Sequence, residues 1–135
     1  MKTINDKIFG ELVYKHSWKK NDKIIFFEQE QDINIIVKAY NEDDGILESQ
    51  RENYLKCKKF IAENTNAIYG NLQDYCKKYY EVSESIEDIL TITSLYFGRD
   101  GAWGILFESK YDVEDGLAIF FKDDKMIVDT QNILL

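Results

Sequence analysis

Four carboxylates near the C-terminus, Glu108, Asp112, Glu114 and Asp115, form the densest group of side chains that could do chemistry. Closely spaced acids can bind calcium, but the EF-hand order of acids around a glycine, with a distal glutamate, is not met. Two carboxylates can also act as a general acid and base if they face each other across a pocket. They can instead form an acidic patch for a basic partner, or simply a solvated hairpin turn. We rank the solvated turn first, the partner patch second, and metal binding or catalysis behind both.

Other residue types with chemical potential form no catalytic pattern. His16 is the one histidine, and no nucleophile and orienting acid accompany it in a recognisable arrangement. Cys57 and Cys76 are not spaced as a metal or redox pair, and we predict that both are buried, reduced thiols. The glycines match neither a P-loop nor a dinucleotide-binding spacing. We therefore predict a non-enzymatic protein without catalytic, cofactor-binding or metal-binding residues.

Two further segments carry side chains suited to a protein interface. Tyr80 lies near the end of a helical pattern but off its apolar stripe, and tyrosine buries a large area at low entropic cost. The turn Asn41–Gly45 adds two more acids. The complete set of predicted partner-binding residues is Glu108, Asp112, Glu114, Asp115, Tyr80, Asp43 and Asp44.

The charge balance restricts the kind of partner. Seventeen basic and twenty-five acidic residues give a net charge of −8, which disfavours binding to nucleic acid. The same balance suits a basic protein, because complementary fields speed encounter. No apolar run has the length of a signal peptide or a membrane span. We therefore expect a cytoplasmic protein that binds no membrane and is a monomer when free.

The elements that position these residues follow from hydrophobic periodicity. Alternation predicts three antiparallel strands within Lys7–Tyr14, Lys23–Glu28 and Ile33–Ala39, with a hairpin connection at Glu28–Asp32. After Asn41–Gly45 the period changes to about 3.6 residues, which predicts helix. The apolar stripe of this region comprises Tyr54, Cys57, Phe60, Ile61, Ile68, Leu72, Tyr75, Cys76 and Tyr79. Asn64-Thr65-Asn66 interrupts the stripe, so we expect either a helical pair or one long kinked helix.

The last third of the chain returns to the period of strands. Ser85 is a candidate cap for a short helical turn, and four strands follow, within Leu90–Phe97, Trp103–Phe107, Leu117–Phe121 and Met126–Val128. We predict one α+β domain over residues 1–135, in the order βββ-αα-ββββ. Its mostly antiparallel sheet of about seven strands carries the helices on one face. The predicted core joins Ile68, Leu72, Tyr75 and Tyr79 to Ile33, Ile35, Val37, Leu117, Ile119 and Phe121.

The segment Phe107–Phe121 resembles the C-terminal signature of a family of small bacterial domains of unknown function. That signature runs F-D-x-x-W-D-P-E-H-G-x-x-V-x-F and ends with Q-D. The residues that match it, or replace a similar residue, are Phe107, Glu108, Tyr111, Asp112, Glu114, Gly116, Phe121, Gln131 and Asn132. Val113 and Asp115 depart from the signature, because they replace its proline and histidine. The opening strand with Trp18, and less specifically the region Gln50–Tyr80, also resembles this family.

Domains of this kind resemble immunity proteins of polymorphic-toxin and contact-dependent growth-inhibition systems. The resemblance implies a protein that binds the C-terminal domain of a cognate toxin, such as a basic nuclease, and neutralises it by occlusion. Two alternatives stay open. The chain could be a cytoplasmic interaction or scaffold domain with another partner, or a small hydrolase that uses the acids of Glu108–Asp115.

Overall fold

The computed structural model describes residues 2–134, in which eight strands form one sheet and three α-helices pack against it. The strands are β1 (Thr3–Asp6), β2 (Gly10–Tyr14), β3 (Trp18–Phe26), β4 (Gln29–Val37), β5 (Leu90–Phe97), β6 (Trp103–Ser109), β7 (Asp112–Lys122) and β8 (Lys125–Asp129). The helices are α1 (Glu48–Glu63), α2 (Thr65–Tyr80) and α3 (Ile86–Ile89), and a 3-10 helix covers Gln131–Leu134. The α+β class is therefore confirmed.

Strand order in the sheet follows the order of the chain. Neighbouring strands are antiparallel except β4 and β5, which are parallel. The three helices form the crossover between these two strands, since a parallel pair cannot be joined by a tight turn. The molecule thus consists of two antiparallel four-stranded meanders joined edge to edge by one parallel pair.

The predicted number of strands was one too few, because β1 precedes the first predicted strand, Lys7–Tyr14, whose first three residues form a turn. The carboxylate of Asp6 accepts hydrogen bonds from the backbone N–H groups of Ile8 and Phe9, both at 3.0 Å. Aspartate side chains close turns in this way. The turn separates β2 from an additional edge strand, β1, so the element order is ββββ-ααα-ββββ.

The hairpin between β3 and β4 is also tighter than predicted. Phe27 and Glu28 form a two-residue turn with φ values of 54° and 61°, and the polar run that follows belongs to β4. Two acids of this run, Glu30 and Asp32, lie 3.3 and 4.0 Å from the ammonium group of Lys23 on β3. Cross-strand ion pairs therefore allow this polar run, whose composition predicts a loop, to form a strand.

The helical region contains two helices rather than one kinked helix. Asn64 has φ −125° and ψ 31°, outside the helical range, and its backbone N–H donates to the carbonyl of Phe60 at 2.9 Å. Its side-chain amide donates to the same carbonyl at 3.2 Å, which ends α1. Ser85 occupies the N-cap position of α3, as predicted, but its side chain makes no capping hydrogen bond.

The core lies between the helices and one face of the sheet. Ile68 and Leu72 of α2 are fully buried against this face. The residues at the centre of β4 to β7 that point toward the helices are buried as well. The prediction for Tyr79 was wrong, since its side chain is 59% exposed. The buried row of α2 runs through Ile68, Leu72 and Cys76 at intervals of four, so it continues to Tyr80 rather than to Tyr79.

Both cysteines are buried and free, which confirms that part of the prediction. Cys57 is 0% and Cys76 is 2% exposed. Burial raises the pKa of both thiols, because a thiolate is poorly solvated away from water. Neither sulfur is therefore an activated nucleophile.

Candidate protein interface

The acids between Glu108 and Asp115 lie at a large, irregular β-bulge rather than in a simple hairpin turn. The turn itself consists of Lys110 and Tyr111, flanked by the pair Ser109 and Asp112. The next pair in the ladder is Phe107 with Leu117, so residues 113–116 of β7 stand opposite a single residue of β6. The N–H of Asp115 donates to the carboxylate of Asp112 at 3.2 Å, which closes the bulge. Asp112 therefore has a structural role, while Glu108 and Glu114 are exposed.

Gly116 ends the bulge in a conformation that excludes a side chain. Its φ is +61°, and a Cβ there would lie 2.5 Å from the carbonyl oxygen of Phe107. The same Cβ would lie 2.7 Å from the amide nitrogen of Gln131, which donates to that carbonyl at 2.8 Å. Two positions on which the sequence resemblance rests, Gly116 and Gln131, thus meet at one carbonyl group.

Four tyrosine rings next to this turn form a continuous group, which we call the tyrosine cluster: Tyr75, Tyr79, Tyr80 and Tyr111. Tyr75 lies with its ring centroid 4.4 Å from that of Tyr79 and 5.9 Å from that of Tyr80. Tyr80 in turn lies 5.4 Å from Tyr111 at the tip of the turn. Tyr79 and Tyr111 are 59% and 41% exposed, so the cluster presents aromatic surface to solvent.

Hydrogen bonds hold two members of the tyrosine cluster in place. The hydroxyl of Ser109 donates to the hydroxyl oxygen of Tyr80 at 2.9 Å. The hydroxyl of Tyr111 donates to the carboxylate of Glu84, which also pairs with Lys110 at 3.2 Å. These hydrogen bonds from Tyr111 and Lys110 lower the pKa of Glu84, so it stays ionised. The β6–β7 turn is therefore fastened to the segment that follows α2.

The electrostatic surroundings keep the cluster neutral at its inner end. Burial, together with the nearby Tyr80, Asp129, Tyr79 and Asp112, raises the pKa of Tyr75 to about 12. Burial likewise raises the pKa of Tyr80, with Asp112 contributing. The carboxylate of Asp112 therefore acts on both rings and that of Asp129 acts on Tyr75, which places negative charge beside a neutral aromatic surface.

Two of the predicted partner-binding residues, Asp43 and Asp44, lie at the opposite end of the sheet. Asp44 accepts hydrogen bonds from the N–H groups of Tyr40 and Asn41 at 2.9 and 3.3 Å, and its carbonyl accepts one from the Trp18 indole at 2.7 Å. These contacts shape the loop that follows β4. Asp43 is exposed and lies 3.5 Å from the Lys2 ammonium group.

The length of β5 separates the two acidic regions. Its C-terminal residue pairs with the end of β4, next to the loop of Asp43 and Asp44, and Leu90 at its start pairs with Ser109. Seven residue steps of a strand span about 23 Å. The structure thus brings Tyr80 together with the acids of Glu108–Asp115 and leaves Asp43 and Asp44 outside this surface. Sequence reasoning missed Tyr111, whose signal was its place at the tip of a turn between two apolar strands.

The part of the chain that the structure describes contains neither a metal-binding cluster nor a membrane-spanning helix. Residues 2–134 contain no group of three or more His, Cys, Asp or Glu side chains that could hold a metal ion. The helices of the same residues include none that is long and apolar enough to cross a membrane.

Comparison with known proteins identifies a family and no characterised relative. No curated protein and no solved structure matches the chain significantly. A family profile described as "Domain of unknown function (DUF6985)" matches residues 8–133. This match runs from the β1–β2 turn to the C-terminal 3-10 helix, so it includes strands β2 to β8, the helices, the bulge and the tyrosine cluster. The chain therefore belongs to the DUF6985 family of domains of unknown function.

Proposed function

We propose that this chain is a protein-binding domain that neutralises the C-terminal domain of a cognate toxin, as an immunity protein does. The observation that carries the proposal is the tyrosine cluster, partly exposed and fixed in place beside the acidic bulge. The toxin domain is a basic protein, such as a nuclease, and the mechanism is occlusion of its active site or substrate groove. No residue of this chain takes part in a reaction.

Tyrosines are suited to anchor such a complex. Aromatic residues are enriched at protein interfaces, and a few buried anchors supply most of the binding energy. Tyr111 and Tyr80 are already held by Glu84 and Ser109, so binding orders few additional rotatable bonds. Tyr79 and Tyr111 supply the exposed ring area that a partner would cover.

Charge at the rim supplies attraction at longer range. Glu114 and Asp115 lie in the bulge and Glu108 lies opposite it, and their carboxylates make no hydrogen bond or ion pair within residues 2–134. Lys78 and Lys110 lie 5.2 and 5.4 Å above the rings of Tyr79 and Tyr111, so the surface is not uniformly acidic. Charges of this kind mainly affect the association rate and its dependence on salt.

Co-expression with the toxin domain encoded next to this protein tests the proposal. We expect that the two proteins co-purify and that growth is restored. Co-purification without rescue of growth would indicate an interaction or scaffold domain instead. The absence of both co-purification and growth rescue would contradict the proposal.

Kinetic measurements on variants of the purified complex locate the interface. Replacing both Tyr79 and Tyr111 with alanine removes two anchors and is expected to weaken binding about 30-fold or more, mainly through faster dissociation. Tyr40→Ala is the matched control, since Tyr40 is 75% exposed at the other end of the sheet. Equal affinities of the two variants would place the interface elsewhere.

A second variant tests the acidic rim separately. The triple change Glu108→Gln, Glu114→Gln and Asp115→Asn removes three charges and leaves Asp112, which closes the bulge, intact. We expect slower association and a weaker salt dependence, with little change in dissociation. Asp43→Asn is the control at the far end. Unchanged association kinetics in the triple variant would exclude the bulge from the encounter surface.

A further inference from the structure

The last strand, β8, is an open edge of the sheet. It pairs with β7 on one side, and within residues 2–134 its backbone makes no main-chain hydrogen bond outside that ladder. Its centre is apolar, Met126-Ile127-Val128, and Ile127 is 41% exposed. Proteins commonly protect such an edge with proline, a bulge or an inward-pointing charge, none of which occurs between Lys125 and Asp129.

The turn that precedes β8 determines which backbone groups point outward. Asp123 and Asp124 form a two-residue turn with φ values of 52° and 62°, the signature of a type I′ hairpin. In such a hairpin the flanking pair, Lys122 and Lys125, exchanges hydrogen bonds, and hydrogen-bonded pairs then alternate along the ladder. Ile127 therefore bonds to β7, while the N–H and C=O groups of Met126 and Val128 point away from the sheet.

The sequence of this strand is complementary to itself. When two copies of β8 run antiparallel with Ile127 opposite Ile127, Met126 of each copy stands opposite Val128 of the other. The outward groups of Met126 and Val128 then make four inter-chain hydrogen bonds. Lys125 of each copy stands opposite Asp129 of the other, on the same face as Ile127.

Charge selects this arrangement over its alternatives. The pairs of Lys125 with Asp129 are non-hydrogen-bonded pairs, in which side chains approach most closely. Neither residue makes an ion pair in the described part of the chain, so both charges are available. An in-register parallel pairing would place like charges together, and an antiparallel register shifted by two residues would lose both charge pairs.

We propose that a second copy of this chain binds to β8, so that two eight-stranded sheets join across a two-fold axis. Such isologous contacts are the common form of homodimer. The proposal replaces the monomer expected from the sequence and does not rest on the proposed function. Its consequence is a particle of about 32 kDa, twice the mass of the 15.9 kDa chain.

Charge reversal tests both the contact and its register. Lys125→Asp places two aspartates opposite each other at each end of the strand pair, and Asp129→Lys places two lysines there. By analytical ultracentrifugation we expect the wild type to dimerise and each variant to have a dimer dissociation constant raised about 10-fold or more. A mixture of the two variants restores both charge pairs and should form a heterodimer as tight as the wild-type dimer. The double variant K125D/D129K should recover the homodimer.

Disulfide crosslinking tests the same contact without the charge-reversal variants. Ile127→Cys places two thiols across the two-fold axis, at the spacing of a non-hydrogen-bonded pair, which a disulfide can bridge. We expect rapid formation of a covalent dimer on mild oxidation. Ile25→Cys is the matched control, because Ile25 is 72% exposed on β3 and lies outside the contact. A wild type that stays monomeric, a variant mixture that does not associate, or equal crosslinking at positions 25 and 127 would each overturn the proposal.

Discussion

The buried carboxylate of Asp6 connects the β1–β2 turn to helix α1. One of its oxygens accepts hydrogen bonds from Nε and Nη2 of Arg51, at 2.8 and 2.6 Å, and the other holds the β1–β2 turn. Its side chain is 2% exposed. Burial alone would raise its pKa, but hydrogen bonds from Arg51, Phe9 and Ile8 outweigh that effect and lower the pKa of Asp6. The pair therefore ties the N-terminal strands to α1.

Replacing Asp6 with asparagine should lower the free energy of unfolding by about 2 kcal/mol at pH 7, because Arg51 loses its buried carboxylate partner and keeps only the exposed Glu48. Urea denaturation measures this loss. Asp43→Asn, which removes an exposed ion pair, should change stability by less than about 0.5 kcal/mol. Similar losses in both variants would contradict the structural role of Asp6.

The same carboxylate sets a pH dependence. Because its pKa is lower in the folded than in the unfolded state, Asp6 stabilises the fold above the unfolded-state value of about 3.9. That stabilisation is lost as the pH falls through the lower, folded-state pKa. The stability difference between wild type and Asp6→Asn should therefore shrink below about pH 4. A constant difference down to pH 2 would show that ionisation of Asp6 is not its source.

At the scale of elements, the bulge in β7 is the feature that depends most on a single residue. Its four unpaired residues need a reversal of backbone conformation before the ladder resumes at Leu117. Gly116 supplies the positive φ, and the backbone there passes too close to Phe107 and Gln131 for any side chain. The bulge in turn positions the acids beside the tyrosine cluster.

Gly116→Ala should therefore destabilise the protein by about 2 kcal/mol or more, through backbone strain and the clash with the Phe107 carbonyl. Gly70→Ala is a matched control of opposite sign. Gly70 lies in α2, and a Cβ there meets no atom within 4 Å, so alanine should stabilise the helix by about 0.5–1 kcal/mol. Thermal unfolding of both variants checks the pair, and a neutral Gly116→Ala would contradict the strained bulge.

For the whole molecule, the parallel pairing of β4 with β5 joins the two meanders into one sheet. The buried side chains of both halves belong to one cluster under the helices. Trp18 reports on the first meander and Trp103 on the second, and both are buried. A shared core predicts that the two halves unfold together.

Single-tryptophan variants, Trp18→Phe and Trp103→Phe, allow each half to be followed by fluorescence. Within each variant we expect the urea midpoint from fluorescence to coincide with that from far-UV circular dichroism. This test also examines the prediction of one domain over residues 1–135. Separate midpoints would show that the meanders are independent folding units.

Local periodicity determined much of this protein. The run of β-forming residues correctly located β5 at Leu90–Phe97, and the stripe from Tyr54 to Cys76 identified the buried helix faces. The order of the predicted elements indicated the α+β class, and composition indicated the net negative charge. These features follow from side-chain types and from their spacing at intervals of two or about four residues. Both can be read within each segment without knowledge of the rest of the chain.

Only the tertiary structure decided the rest, because it depends on groups far apart in sequence. The contact with Arg51 buried the carboxylate that closes the β1–β2 turn, the row of α2 partly buried Tyr80 instead of Tyr79, and strand pairing formed a bulge from the acidic segment. The parallel pair of β4 and β5 placed Asp43 and Asp44 at one end of the sheet and the tyrosine cluster at the other. Long-range contacts set the partner and register of each strand and the burial of each helix face against the sheet. No local interval encodes these features.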